Sequence, residues 1–277
     1  MSALEPSTIH LRFVPLDALT VHEEDDPVRV ARLVKALTQD GTLRNPIIAA
    51  YHQGMYVVMD GATRLSALRK MDMQDVLIQE ASYSSDRVQL DVWHHVIVGL
   101  SADQLLASIG KLELLTLEIV GREQGAEQLQ HRKILACIYL PNGQSYALSF
   151  EGDLLAQADL LCRMVSAYRG KAQVHRANDI DMPTLVDQYE DIAAVISFPP
   201  FAPKEILQIA SNGIKVPMGI TRHLITGRAL GIGVPLSMLT NAQSLAEKNE
   251  WIQRQVQDRL RTNKVRLYQE PVFVFDE

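Results

Sequence analysis

The stretch Val57-Val58-Met59-Asp60-Gly61-Ala62-Thr63-Arg64-Leu65 joins an apolar run to a helical pattern through one glycine. The apolar run predicts a buried strand, and Gly61 permits a sharp turn into a helix. A helix start offers unpaired N–H groups and ~+0.5 of dipole charge, so this turn can bind an anion. Thr63 and Arg64 add a hydroxyl and a cation. The alternative is that Asp60 only caps the helix and Arg64 pairs with a surface carboxylate.

The residues around this turn predict a compact α+β module. Alternating apolar residues over 9–14 predict a strand, and Asp26 with Pro27 predicts a helix that runs to Gly41. A strand pair over 46–59 leads into the helix after the turn, and a further strand is predicted over 76–78. The resulting order β, α, β, β, α, β is typical of α+β folds.

The rest of the chain predicts a second part. Pro141-Asn142-Gly143 predicts a hairpin turn between two strands. The proline-rich residues 197–203 predict a connector. Further elements are predicted as helices over 154–168, 182–195 and 242–261, as a helix from Pro203 to a stop at Asn212-Gly213, and as an edge strand over 265–275. We therefore expect two domains, residues 1–98 and 99–277, the second of α/β type, with an active-site cleft between them.

Composition excludes several classes of protein. The chain has 277 residues, and 27 basic against 33 acidic side chains give a net charge of −6, which argues against nucleic acid as the main ligand. Cys137 and Cys162 are its only cysteines, so neither a disulfide framework nor a cysteine zinc site is expected. Because no membrane span and no signal-peptide pattern is visible, we expect a cytoplasmic protein.

Three further segments carry side chains suited to chemistry. Glu23 begins an acidic loop, where a carboxylate could act as a base or bind Mg²⁺, or could simply form a solvated first turn. Thr221-Arg222-His223 offers three kinds of hydrogen-bond donor, but in an extended strand Thr221 and His223 would share a face opposite Arg222. Trp93 precedes two adjacent histidines, for which a structural role is expected more than metal binding.

The sequence resembles the free L-serine kinases of the ParB/sulfiredoxin superfamily. The resemblance rests on motifs in their order along the chain: VPLDAL at 14–19, His22-Glu23, RNPI at 44–47, DGxxR at 60–64, the Trp93 region, PKEILQIASNG at 203–213, VPMGITRH at 216–223 and VPLSML at 234–239. No GxxxxGK[ST], HExxH or GxSxG motif competes with it. The resemblance implies a ParB/sulfiredoxin-like N-terminal module.

The resemblance also implies the role of each candidate residue. Glu23 matches the carboxylate that accepts the serine hydroxyl proton. Asp60 matches the aspartate near the transferred phosphate and its metal. Gly61, Ala62, Thr63 and Arg64 match the phosphate-binding turn, whereas Trp93, Thr221, Arg222 and His223 match the serine pocket. Thr63 stands where these kinases typically carry histidine, and threonine cannot serve as a cation or proton shuttle.

The function implied is transfer of a phosphoryl group from ATP or ADP, with Mg²⁺, to free L-serine. The product, O-phospho-L-serine, would feed amino-acid or siderophore biosynthesis. One alternative is a non-enzymatic ParB-like regulator that binds a nucleotide and contacts DNA or a protein. The basic residues over 254–266 are interleaved with acidic ones, which favours a solvated helix face over a DNA-binding surface. Another alternative is a kinase of threonine or homoserine. The sequence does not reveal the oligomeric state.

Overall fold

The computed structural model describes residues 9–268, which form two compact units. Of the described residues, the first unit consists of 9–19, Pro27–Arg87 and 225–268. The second consists of Thr20–Asp26 and Val88–Leu224. The units therefore do not follow the sequence division at residue 98, because the C-terminal segment belongs with the N-terminal module. The predicted cleft stays a prediction.

The first unit is built on a five-stranded sheet with strand order β1-β6-β4-β5-β2. β1 pairs antiparallel with β6, β6 pairs parallel with β4, and β4 pairs antiparallel with β5. Its elements are β1 (His10–Pro15), β2 (Leu19–Val21), α1 (Pro27–Asp40), β3 (Thr42–Leu43), β4 (Ile47–His52), β5 (Met55–Asp60), α2 (Ala62–Lys70), β6 (Asp75–Glu80), β15 (Val234–Pro235), α8 (Ser237–Thr240) and α9 (Leu245–Arg261). The predicted element order β, α, β, β, α, β is confirmed, with β2 and β3 as additions.

Local sequence explains how this sheet leads to the turn at Gly61. Gln53 and Gly54 both have positive φ (48° and 89°), which suits the two-residue turn between β4 and β5. β5 is buried from Tyr56 to Met59. Its last residue, Asp60, is only partly buried and lies at the end of the strand. Gly61 then takes φ 109°, a value that side-chain-bearing residues rarely adopt, and α2 begins at the next residue.

The last helix, α9, joins the first unit through buried polar contacts. Lys248 is fully buried, and its Nζ lies 2.6 Å from Asp75 Oδ2. Asn249 Oδ1 accepts a bond from the Phe13 N–H (2.7 Å), and Asn249 Nδ2 donates to the Phe13 carbonyl (3.2 Å). These contacts to β1 and β6 explain why the C-terminal segment belongs to the first unit.

The second unit is built on a six-stranded antiparallel sheet with strand order β12-β8-β13-β10-β11-β9. A separate two-stranded sheet pairs β14 with β7. The elements of the second unit are β7 (Val88–Val92), β8 (His94–Val98), α3 (Ala102–Ile109), β9 (Thr116–Ile119), α4 (Arg122–Gln130), β10 (Ala136–Tyr139), β11 (Ser145–Ser149), α5 (Leu154–Tyr168), β12 (Gln173–Ala177), α6 (Met182–Gln188), β13 (Ile192–Ser197), α7 (Pro203–Ser211) and β14 (Thr221–Ile225).

One sequence prediction in the second unit is wrong, and one at the C-terminal end of the chain is only partly covered by the described residues. The helix predicted over 182–195 ends at Gln188, and Ile192–Ser197 forms β13 between β8 and β10. A short apolar run does not by itself distinguish a helix from a strand buried on both faces. Residues 265–268 of the predicted C-terminal strand are irregular, and the rest of that strand lies outside the described residues. Every helix within residues 9–268 is too short or too polar to cross a lipid bilayer.

Candidate active site

The turn after β5 places one carboxylate between two guanidinium groups. Asp60 Oδ2 accepts hydrogen bonds from Arg64 Nη2 at 2.6 Å and from Arg228 Nη2 at 2.5 Å. The charges of these three side chains sum to +1. The Asp60 side chain is 34% exposed, so the group is reachable from solvent. The turn is thus a cationic site built around an acidic residue.

Arg64 and Arg228 are not equally available to a ligand. Arg64 Nη1 also donates to the Asn45 carbonyl (3.2 Å) and to the Pro46 carbonyl, and its side chain is only 19% exposed. Arg228 is 40% exposed, and within the described residues its side chain bonds only to Asp60. Because its remaining N–H groups are uncommitted there, Arg228 is the cation better placed to accept an anion.

The backbone on both sides of Arg228 is fixed by a buried glutamine. Gln79 is 5% exposed; its Nε2 donates to the Gly227 carbonyl (2.9 Å), and its Oε1 accepts from the Ala229 N–H (2.8 Å). A buried amide that satisfies two peptide groups holds them in one arrangement. In the sequence, Gly227-Arg228 stands out only as a pair that follows the Thr221–His223 segment, without a role of its own. The sequence signal for this contact was Gln79, a polar residue within the otherwise apolar strand over 75–80, which indicates a buried hydrogen-bonding partner.

The start of α2 supplies N–H groups to the same turn. The first backbone bond of the helix runs from the Leu65 N–H to the Gly61 carbonyl (2.9 Å). The N–H groups of Ala62, Thr63 and Arg64 therefore precede the helical hydrogen bonds, as in anion-binding helix starts. A Cβ on Gly61 would lie 3.1 Å from the Arg64 guanidinium carbon, a tight contact, and the positive φ of Gly61 is the main reason for glycine at this position.

In the second unit, Glu23 is held by the segment that ends in Thr221. Glu23 Oε1 accepts from the Thr221 N–H (3.2 Å) and from the Thr221 hydroxyl, and Oε2 accepts from the Gly219 N–H (3.4 Å). Thr221 is 7% exposed, whereas Glu23 is only partly buried. A carboxylate in a fixed orientation that remains reachable by solvent is suited to accept a proton.

β14 presents its predicted site residues on two faces, as the extended pattern predicted. Thr221 contacts Glu23, and the His223 ring lies 5.3 Å from the His22 ring. On the other face, the Arg222 guanidinium lies 4.6 Å from the centre of the Trp93 ring, and its Nη1 lies 3.3 Å from Asp91 Oδ2. Glu23, Thr221 and His223 therefore form one group, and Trp93 and Arg222 form another.

The turn before β14 is fixed by a buried histidine. His95 is 2% exposed; its Nε2 lies 3.1 Å from the Gly219 carbonyl, and its Nδ1 lies 2.8 Å from the Tyr168 hydroxyl. Because a carbonyl only accepts, Nε2 carries the proton and Nδ1 accepts from the Tyr168 O–H. Gly219 has φ 81°, and a Cβ there would collide with the Arg176 guanidinium.

Burial lowers the pKa of three histidines in this unit: His94, His95 and His223. The pKa of His95 falls to about 3, chiefly through desolvation. The pKa of His223 also falls to about 3, through desolvation and then the neighbouring His22. Both imidazoles are therefore neutral at pH 7. His223 can donate or accept a hydrogen bond, but it adds no positive charge to the site.

His95 and His223 predict a loss of stability in acid. In the unfolded chain they bind protons near pH ~6.5, whereas in the folded protein they resist protonation down to about pH 3. Above pH ~6.5 the stability that these neutral histidines contribute is fully present. Below it, the free energy of unfolding falls by about 1.4 kcal/mol per pH unit for each histidine, down to about pH 3. Urea unfolding at pH 7 and pH 5 measures the decrease. His223→Gln should make it shallower, and an equal slope in both proteins would contradict this assignment.

The comparisons identify L-serine kinases as relatives. No protein-family model matches the chain. The chain is 26% identical over 246 residues to the ATP-dependent L-serine kinase SbnI of Staphylococcus aureus, covering 88% of this chain and 89% of that protein. It is 27% identical over 137 residues to an ATP-dependent L-serine kinase of Staphylothermus marinus, covering 49% of this chain and 54% of the relative.

Solved structures agree with these sequence relatives. SbnI with a C-terminal truncation superimposes with a TM-score of 0.71 at 25% identity, covering 91% of this chain and 97% of that one. A free serine kinase in complex with AMP gives a TM-score of 0.70 at 19% identity, covering 83% and 94%. At that identity the second likeness shows the fold alone. The mixed helix and strand fold is therefore shared with these kinases.

Proposed function

We propose that this protein is an ATP-dependent kinase of free L-serine that produces O-phospho-L-serine. The observation that carries the proposal is the Asp60 turn, where two guanidinium groups and a helix start provide a site for phosphate. The similarity to SbnI across most of both chains supports the choice of serine and ATP. The β, α, β, β, α, β order supports a ParB/sulfiredoxin-like character for the first unit.

In this proposal the first unit binds the nucleotide phosphates. The N–H groups of Ala62, Thr63 and Arg64 and the Thr63 hydroxyl donate to phosphate oxygens, while Gly61 lets the phosphate approach the backbone. Arg228 supplies the more exposed cation, and Arg64 holds Asp60 in place. Thr63 contributes a single hydrogen bond where the resembling kinases typically have histidine.

Asp60 is the residue proposed to hold Mg²⁺. Magnesium in kinases is commonly bound by one or two carboxylates together with substrate phosphates. Among the described residues, no three His, Cys, Asp or Glu side chains are grouped to hold a metal ion. Asp60 Oδ1 is the protein ligand proposed here. Bound Mg²⁺ would neutralise charge on the transferred phosphate. The residues fit this arrangement because Asp60 Oδ2 alone carries the arginine bonds.

The second unit provides the base and the serine contacts in this proposal. Glu23 accepts the proton of the serine hydroxyl, which needs only one carboxylate oxygen within hydrogen-bond reach. Thr221 and His223 share the face with Glu23, so they are proposed to contact serine. Trp93 and Arg222 are proposed to contribute from the other face, where they also fix the orientation of β14.

The proposal is tested by a panel of acceptors and donors. The purified protein is incubated with Mg²⁺, ATP or ADP, and L-serine, L-threonine or L-homoserine, and the loss of donor is followed. We expect turnover with ATP and L-serine to exceed that with the other pairs. Salt-dependent DNA binding without turnover of any acceptor would instead support the ParB-like regulator, which the similarity to kinases does not favour.

Arg228→Gln is expected to weaken use of ATP. Glutamine keeps a polar side chain but removes the cation, so kcat/KM for ATP should fall by ~10²-fold, the scale of losing one preorganised electrostatic contact. Steady-state kinetics at saturating serine measures the change. Arg44→Gln is the matched control, because Arg44 lies in an exposed pair with Asp40 at 3.1 Å and should alter kcat/KM less than ~2-fold. Equal effects of the two substitutions would remove Arg228 from the phosphate site.

A further inference from the structure

A buried histidine with no role in the proposal so far lies directly beside the proposed base. His22 is 3% exposed, and its Nε2 lies 3.0 Å from Thr221 Oγ1. The same hydroxyl bonds to Glu23 Oε1. The three side chains therefore form a short chain of hydrogen bonds that ends on the carboxylate.

The chemistry of these groups fixes the direction of each bond. A carboxylate only accepts, so the single Thr221 hydroxyl proton points to Glu23. Thr221 Oγ1 can then only accept from His22, and His22 Nε2 must carry a proton. The edge-on neighbour of His22, His223, is neutral because burial lowers its pKa to about 3. The order His22 N–H to Thr221 O–H to Glu23 is thus the arrangement that satisfies all three groups.

We infer that His22 is a positioning residue for Glu23 and acts through the Thr221 hydroxyl. Because His22 donates to the Thr221 oxygen, the Thr221 hydroxyl cannot donate to His22, and its proton points toward Glu23 Oε1. The carboxylate is then held with its other oxygen, Oε2, on the Gly219 N–H. This inference rests on the proposed function, in which Glu23 is the base for a hydroxyl acceptor.

The role predicts a loss in kcat that a purely structural histidine would not cause. His22→Leu fills the buried position with an apolar side chain and removes the N–H donor. It should lower kcat by ~10-fold or more, as for other supporting residues around a functional site. KM for ATP should stay within ~2-fold. His22→Gln can place an amide N–H near the Nε2 position and should restore most of the loss.

A double-substitution cycle tests whether the effect passes through Thr221. In a Thr221→Val background, His22→Leu should lower kcat by less than ~2-fold further, because the link is already absent. A structural defect would instead add to the Thr221→Val effect. If His22→Leu does not fold, His22→Gln and His22→Asn take its place, since asparagine is too short to reach Oγ1 and should behave as the loss variant.

The test is completed by a measurement that does not depend on turnover. Nitrogen NMR of ¹⁵N-histidine-labelled protein, with the His22 signals assigned from their absence in His22→Gln, should show a proton on Nε2 at pH 7.5. A protonated Nδ1 with a bare Nε2, additive kcat losses in the cycle, or no rescue by glutamine would each overturn the inference. Absence of serine phosphorylation by the wild type would overturn the proposed function, and the NMR result would then still decide the hydrogen-bond order.

Discussion

Glu23→Gln is expected to lower kcat for serine phosphorylation by ~10²- to 10⁴-fold, the range for loss of a general base. The amide oxygen can still accept hydrogen bonds from Thr221, so the fold and the loop are retained, but it cannot take the serine proton. Steady-state kcat at saturating ATP and serine measures the effect, with circular dichroism to confirm folding.

Glu24→Gln is the matched control for this substitution. Glu24 is the next carboxylate in the same loop and lies 3.5 Å from Arg169 in a partly exposed ion pair. Pairs of this kind contribute little, so its kcat should stay within ~2-fold of wild type. A Glu23→Gln protein with wild-type turnover, or equal losses in both variants, would remove Glu23 from the mechanism.

Asp60→Asn is expected to abolish metal-dependent turnover, with kcat/KM for ATP falling by at least ~10²- to 10³-fold. The neutral amide leaves Arg64 and Arg228 without their shared counter-ion and gives Mg²⁺ no anionic ligand. Initial rates over a range of Mg²⁺ concentrations measure the change, and the dependence on Mg²⁺ should weaken together with the rate.

Asp40→Asn provides the control for charge alone. Asp40 is an exposed carboxylate on α1 that pairs with Arg44, so its loss changes the net charge by the same amount. Wild-type kinetics are expected. If Asp60→Asn kept the Mg²⁺ dependence of the wild type, the proposed metal role of Asp60 would fail.

The elements that sequence predicts well here are those set by local signals. Pro27 begins α1, Gly54 closes the hairpin, and Gly61 converts β5 into α2, each through its own backbone preference. The strand-to-helix turn at Gly61 could therefore be predicted from nine consecutive residues. β13 could not, because its apolar run fits a helix or a strand until the neighbouring strands of the sheet are known.

The parts of the candidate site that sequence missed depend on contacts between distant residues. Arg228 meets Asp60 across 168 positions, and Gln79 fixes its backbone across about 150. His22 gains a role only because Thr221, 199 positions later, places a hydroxyl beside it. A local sequence pattern cannot predict contacts between residues so far apart. A polar side chain inside an apolar strand, such as Gln79, does indicate a buried hydrogen bond, although not its partner.

The most direct test of the kinase proposal is detection of its product. The purified protein is incubated with L-serine, ATP and Mg²⁺, and the mixture is followed by phosphorus NMR. We predict a new phosphomonoester signal that coincides with added O-phospho-L-serine and grows in equal amount with ADP. ATP that stays intact, or that yields only inorganic phosphate and ADP, would contradict the proposal.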